Sequence, residues 1–290
     1  MADQDLLHRF LFEHTSVRGE YLRLDASWKA VLARRDYPQV VRDLLGQALV
    51  ASMLLGATIK FRGSLILQIQ GDGPISMLVA QVTAERTLRG TAEWEGELAP
   101  GSLQDLFGRG HLAITIDPGE GRERYQGIVE LGDGGLADAL ANYFDRSEQL
   151  ATRLWLAADD EHAAGLLLQQ LPGEDPDPDA WNRTLQLGST VTDEELLALP
   201  FRDLLWRLYH EEDVRIFDPE PVSFRCGCSR QRIEEVLRSL GHDEVSDIVA
   251  EQGRVGVQCN FCGQNYEFDA VDAEGIFAAE HPPRVPKTKH

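Results

Sequence analysis

Cysteine is absent from the first 225 residues of this chain, and positive charge is scarce along all 290. Without cystines to staple it, the larger part of the protein must rest on an apolar core, and 43% hydrophobic residues can supply one. Twenty-eight Lys and Arg stand against 48 Asp and Glu, a net charge of −20. That balance argues against a nucleic-acid partner, because phosphate binding depends on clustered basic side chains. The C-terminal part is no exception, with eight Lys or Arg against eleven Asp or Glu from Ser223 onward.

Other absences narrow the function. The start, Met-Ala-Asp-Gln-Asp, is acidic and lacks the basic and apolar regions of a signal peptide. The longest nearly apolar run, Ala48 to Ala57, is about half of the roughly 20 residues that a bilayer span needs. A soluble, cytoplasmic protein without a membrane partner is expected. No G-x-S-x-G elbow and no H-E-x-x-H occurs, and the eight histidines are scattered singly. Gly71-Asp72-Gly73 lies between two strand-like runs and has no following lysine, so it reads as a hairpin turn and not as a phosphate loop. Nothing here points to an enzyme.

What the chain does have is four cysteines in its last quarter, as Cys226-Gly227-Cys228 and Cys259-Asn260-Phe261-Cys262. Such clustering builds a metal site, a redox switch, or both. Two close pairs can converge on one tetrahedral ion, and four thiolates suit Zn²⁺ better than other common metals. The second pair has the C-x-x-C-G form of a zinc knuckle, in which Gly263 lets the turn close. The C-x-C pair is tighter than most zinc ribbons, and its thiols are near enough to join each other if the metal leaves. A structural zinc-ribbon binding module, a thiol oxidoreductase cycling Cys259 and Cys262, a disulfide pair and an iron–sulfur cluster are the competing readings.

The pattern along the chain predicts an α+β fold in three parts. Residues 1–171 read as an N-terminal domain of mixed sheet and helix. Leu65 to Gln70 and Ser76 to Ala80 form one predicted hairpin, and Leu112 to Ile116 and Tyr125 to Val129 form another across the turn Pro118-Gly119-Glu120-Gly121. Helices are predicted over Tyr37–Ala57 and Leu136–Phe144. Residues 172–222 begin with the acidic, Pro-rich stretch Pro172 to Asp179 and read as a linker. Within it, Asp193–Tyr209 is amphipathic around Pro200. Its stripe of Leu196, Leu197, Leu204, Leu205 and Leu208, with Trp206 and Leu199 beside it, must cover apolar surface elsewhere.

Residues 223–290 form the predicted zinc domain. Ile233, Val236, Leu237 and Leu240 mark one helix ended by Gly241, Asp243–Ala250 a second, and short strands enter and leave the knuckle at Val255, Val257, Tyr266 and Phe268. So few apolar residues cannot hold the unit alone, whereas a structural zinc contributes on the order of 10–16 kcal/mol. Oxidation of the thiolates would therefore remove the metal and the fold together.

Beyond the cysteines, the chain carries Leu7-His8-Arg9-Phe10-Leu11-Phe12-Glu13, Gln70-Gly71-Asp72-Gly73-Pro74, Tyr125-Gln126-Gly127, Arg146-Ser147-Glu148-Gln149-Leu150 and Leu205-Trp206-Arg207-Leu208-Tyr209-His210-Glu211-Glu212. With Cys226-x-Cys228 and Cys259-x-x-Cys262, it resembles the heat shock protein 33 family of redox-regulated chaperones nearly end to end. The resemblance implies an ATP-independent holdase, inactive when reduced with one Zn²⁺ on Cys226, Cys228, Cys259 and Cys262. It also implies disulfides Cys226–Cys228 and Cys259–Cys262 on oxidation, zinc release, and unfolding of the zinc domain and linker. A homodimer would then hold unfolding or oxidatively damaged client proteins for ATP-dependent foldase chaperones downstream.

Overall fold

The computed structural model describes residues 4–59, 62–119, 122–173 and 176–278. Glu120 and Gly121 of the predicted turn, Glu174 and Asp175 of the predicted linker, and the end of the predicted zinc domain from residue 279 lie outside the described residues. The fold is α+β. Its contacts divide the chain into two compact units, Met1–Arg225 and Cys226–His290.

The first unit begins with strands β1 (Leu6–Phe12) and β2 (Val17–Leu24), a short helix α1 (Ala26–Leu32) and a long helix α2 (Gln39–Thr58). Strands β3 (Ser64–Gly71), β4 (Ile75–Thr83) and β5 (Thr87–Trp94) follow, then α3 (Leu103–Phe107), β6 (Gly110–Asp117), β7 (Tyr125–Glu130) and α4 (Leu136–Tyr143). After β8 (Thr152–Ala158) and β9 (Ala163–Gln170) come three helices, α5 (Ala180–Gly188), α6 (Asp193–Ala198) and α7 (Phe201–Tyr209). Three short strands, β10 (Val214–Ile216), β11 (Glu220–Pro221) and β12 (Ser223–Phe224), close the unit. The second unit holds α8 (Arg230–Leu240), α9 (His242–Gln252), the hairpin β13 (Val255–Gln258) and β14 (Asn265–Phe268), and α10 (Ala270–Ala278).

Two six-stranded sheets organise the first unit. One runs β10-β1-β2-β9-β8, with β11 also on β1, and the other runs β12-β5-β4-β3-β6-β7. Both predicted hairpins lie in the second sheet, joined through the antiparallel β3–β6 pair. Helix α2 packs against strands of both sheets and is the spine of the main core. Glycine permits the close approach: a Cβ on Gly46 of α2 would lie 2.6 Å from the Ala158 Cβ, and one on Gly165 would lie 2.6 Å from Val50 Cγ1. Gly71 and Gly73 have the same purpose at the first hairpin, since a Cβ on either would strike the Phe107 backbone at 1.9 and 2.4 Å.

One expectation needs correcting. Gln39–Thr58 is long and apolar enough to cross a membrane by length and composition, with mean hydropathy 1.4. Arg42 and Asp43 near its start hid this in a search for an unbroken apolar run. Most of that stretch is buried inside the fold, where Val41, Leu45, Leu49 and Met53 are fully enclosed. A helix that is apolar nearly all round and covered by protein is a core helix.

Candidate metal centre and covering helices

The two cysteine pairs meet because two local structures aim them at one point. Ser229 caps α8 directly after Cys228, its hydroxyl accepting from the Arg232 N–H at 3.3 Å. The Arg232 guanidinium turns back to donate to the Gly227 carbonyl at 2.6 Å, which fixes the C-x-C loop. On the other side, the β13–β14 hairpin sets the knuckle. The Cys259 N–H donates to the Gln264 carbonyl at 2.9 Å and the Gly263 N–H to the Cys259 carbonyl at 2.8 Å. Gly263 has φ +70°, the left-handed value that this tight turn demands and glycine tolerates best.

All four Sγ atoms lie within 4.8 Å of one another. Across the pairs, Cys226 lies 3.7 Å from Cys259 and Cys228 lies 3.3 Å from Cys262. A tetrahedral zinc with arms of about 2.3 Å needs sulfur–sulfur edges of about 3.8 Å, so the donor set has the size and chemistry for that ion. None of the four is in a disulfide, and each is half-buried.

Charge makes the same point. Burial raises the Cys226 thiol, but the Cys228 backbone N–H and the neighbouring thiols outweigh it and bring the group down to about 7. Burial raises Cys259, and burial with the neighbouring thiols pushes Cys262 up to about 12. The first thiolate is welcomed and the later ones are resisted, because negative charges so close repel. A cation is what would let all four ionise together. The Tyr266 hydroxyl donates to Cys228 Sγ at 3.2 Å, and this bond is the first reason that its own proton is held up to about 12.

The apolar support of this unit is small. Leu237, Val245, Val255, Phe268, Ala273 and Ile276 are its buried side chains among the described residues, with Arg230 stacked on the Phe268 ring at 4.2 Å. Val236 and Leu240, which share the helical spacing of the predicted core face, are instead more than half exposed. The helix presents a narrower stripe than its sequence offers.

The leucine stripe sits in the first unit, on the face of the β10-β1-β2-β9-β8 sheet. Leu196, Leu204, Leu205 and Leu208 are buried with Phe201 and Tyr209 against Phe10, Phe12, Tyr21 and Leu166, while Leu197 packs at the edge, partly buried. Trp206 points the other way and is 70% exposed. Thr192 and Glu195 form a capping box at the start of α6, and Pro200 caps α7, so the break expected there is a turn between two short helices.

A model of the family described as Hsp33 protein matches residues 5–269. The chain belongs to the Hsp33 family. It is 55% identical to the 33 kDa chaperonin of Nitrosococcus oceani over the full length of both, and 48% identical to that of Methylobacillus flagellatus, with 97% of each chain covered. The fold resembles that of the 33 kDa chaperonin (heat shock protein 33 homolog) of Thermotoga maritima, with a TM-score of 0.80, 23% identity, and 95% and 99% of the two chains covered. It is thus an Hsp33-family chaperone, a family whose work is binding client proteins, with a four-cysteine cluster able to hold a metal ion.

In this Hsp33 chain two covering residues escaped the sequence reading. Buried Arg23 of β2 donates through Nη1 to the carbonyls of Leu197, Ala198 and Leu199 at 3.2–3.3 Å, satisfying the open end of α6. Tyr21 donates to the Leu196 carbonyl at 3.2 Å. A single arginine among strand residues carries no local signal of a partner some 175 residues away.

Proposed function

We propose that this Hsp33 chaperone is an ATP-independent holdase switched by oxidation of its four cysteines, and that it is not an enzyme. Reduced, it carries one Zn²⁺ on Cys226, Cys228, Cys259 and Cys262 and is inactive. When bound, the ion would stabilise all four sulfurs as thiolates and tie the C-x-C loop to the knuckle. Each disulfide formed takes two electrons from a thiolate pair, peroxide and two protons from solvent becoming two waters, and the pairs are Cys226–Cys228 and Cys259–Cys262. Without thiolate ligands the metal is lost, and the second unit and the linker of residues 172–222 unfold. The activated protein dimerises in the cytoplasm and keeps unfolding or oxidised proteins soluble until ATP-dependent foldases take them.

The observation that carries this reading is the convergence of all four sulfurs within 4.8 Å, in a unit with only six buried apolar side chains among its described residues. A structural zinc contributes on the order of 10–16 kcal/mol, more than so small a core can replace. The leucine stripe supplies apolar surface that is covered at rest.

The test follows zinc and client together. Reduced chain should contain about one zinc per chain. Peroxide at elevated temperature should release it, yield both local disulfides on peptide mapping, and turn on suppression of client aggregation. A zinc content near zero in the reduced chain refutes the metal assignment. Full zinc retention under oxidant with unchanged shape favours a structural zinc module, and catalytic turnover of a dithiol substrate favours an oxidoreductase.

A further inference from the structure

Residues 213–217 act as an added strand on the outer edge of β1. Strand β10 pairs antiparallel with it, Phe10 opposite Ile216, Leu11 opposite Arg215 and Phe12 opposite Val214. The ladder continues at both ends. Glu13 N–H donates to the Asp213 carbonyl at 2.8 Å, and Phe217 N–H donates to the Arg9 carbonyl at 3.0 Å. Beyond β10, β11 covers the other end of β1, and β12 lies parallel to β5 at the edge of the second sheet. The segment then enters Cys226 after a single residue.

If residues 213–217 leave, the stretch from Arg9 to Glu13 becomes an open edge with its outward N–H and C=O groups unpaired. Such an edge recruits another extended chain, with backbone bonds supplying affinity and alternate side chains supplying selection. What it selects can be read from the segment now seated there. Val214 and Ile216 place β-branched side chains against Phe10, Phe12 and their neighbours, and Arg215 between them pairs with Glu13. A chain of net charge −20 favours the same basic choice over longer range.

We propose that the outer edge of β1, vacated by residues 213–217, is a docking edge for an extended segment of an unfolding client, with β-branched apolar residues at alternate positions and a basic residue between them. The vacating step rests on the oxidative unfolding of the linker proposed above; the edge itself does not. Residues 213–217 are then an internal stand-in for the client, and holding is partly β-strand addition as well as burial of loose apolar surface.

The test uses a fluorescent peptide of residues 211–219, Glu-Glu-Asp-Val-Arg-Ile-Phe-Asp-Pro, with two variants. One is N-methylated at the position of Phe217, and the other carries glutamate at the position of Arg215. Binding is read by anisotropy on the full chain, reduced and oxidised, and on reduced chain bearing Phe217→Pro, which loses the N–H donated to Arg9. The parent peptide should bind the oxidised chain and the reduced Phe217→Pro variant, and not the reduced parent. N-methylation should weaken it by about tenfold, and the glutamate peptide should also be weaker. Equal binding of the N-methylated peptide, or no binding to either form, overturns the proposal. So does binding that vanishes as protein concentration rises, which would give the edge to a second copy of this chain. Client aggregation assayed beside it judges the holdase reading separately: an oxidised chain that holds clients but ignores N-methylation keeps the function and loses the edge.

Discussion

The covering helices of the first unit and the helices of the cysteine unit are all short, of 6 to 11 residues, yet they are held by different means. Helices α5, α6 and α7 lie on a preformed sheet, and their cluster of 15 buried residues adjoins a main core of 39. Among the described residues, helices α8, α9 and α10 have one another and a two-stranded hairpin, with six buried apolar residues between them. The first arrangement needs no ligand, because a sheet supplies the apolar face. On the proposed reading the second replaces core by coordination, and would so gain a stability that chemistry can remove.

Breaking the metal site should separate the two most sharply. Cys228→Ser in the reduced chain is expected to unfold residues 226–278 almost completely while α2 and its sheets keep full protection, as read by hydrogen exchange. Protection that survives throughout the second unit would mean its six-residue core is sufficient after all.

The covering helices can be attacked next. Leu204 and Leu208 are 1% and 3% exposed, and replacing both by aspartate puts two charges into a buried apolar cluster. Each change is expected to cost several kcal/mol locally, in the range for a lost core leucine or more. Exchange across residues 180–222 should rise in the reduced chain, and some client holding should follow without oxidant. A double variant as protected and inactive as the parent would show that these helices are not what keeps the chaperone closed.

The smallest effect is a pH slope confined to the first unit. Burial raises the Glu20 carboxyl to about 8, despite Arg18, Arg86 and Arg9 nearby, and its Oε2 has no hydrogen-bond partner among the described residues. A carboxyl raised on folding makes the folded state bind the extra proton, so stability is highest below the unfolded value of 4.5 and declines as pH rises to about 8. Thermal unfolding of the first unit should follow that decline, and Glu20→Gln should flatten it. An unchanged slope in the variant would place the titration elsewhere.

Sequence alone went furthest where neighbours in the chain are neighbours in space. The α2 periodicity, both hairpins of the second sheet, the helix closed by Gly241 and the knuckle turn at Gly263 are local patterns, and each lies close to where it was expected. The sheet under the leucine stripe was not legible. It joins β1 and β2, near the start, to β8, β9 and β10 more than a hundred residues later, and no window of sequence contains that pairing. Nor could periodicity tell that Trp206 faces water while Leu205 beside it does not, since both fit an amphipathic helix until the sheet chooses a side. The four cysteines were legible as a set because they are the only ones, but the contacts that join one pair to the other depend on the loop that Arg232 holds.

Helix α2 gives this protein a difficulty of timing. Its strands of closure arrive late: β9 ends at Gln170, whereas α2 ends at Thr58. Synthesis at about 5–20 residues per second leaves the side of the helix that meets β8 and β9 uncovered for roughly 6–22 s, at an apolar length that would suit a bilayer. On the ribosome, then, this chaperone is for a while the kind of chain that chaperones exist to hold.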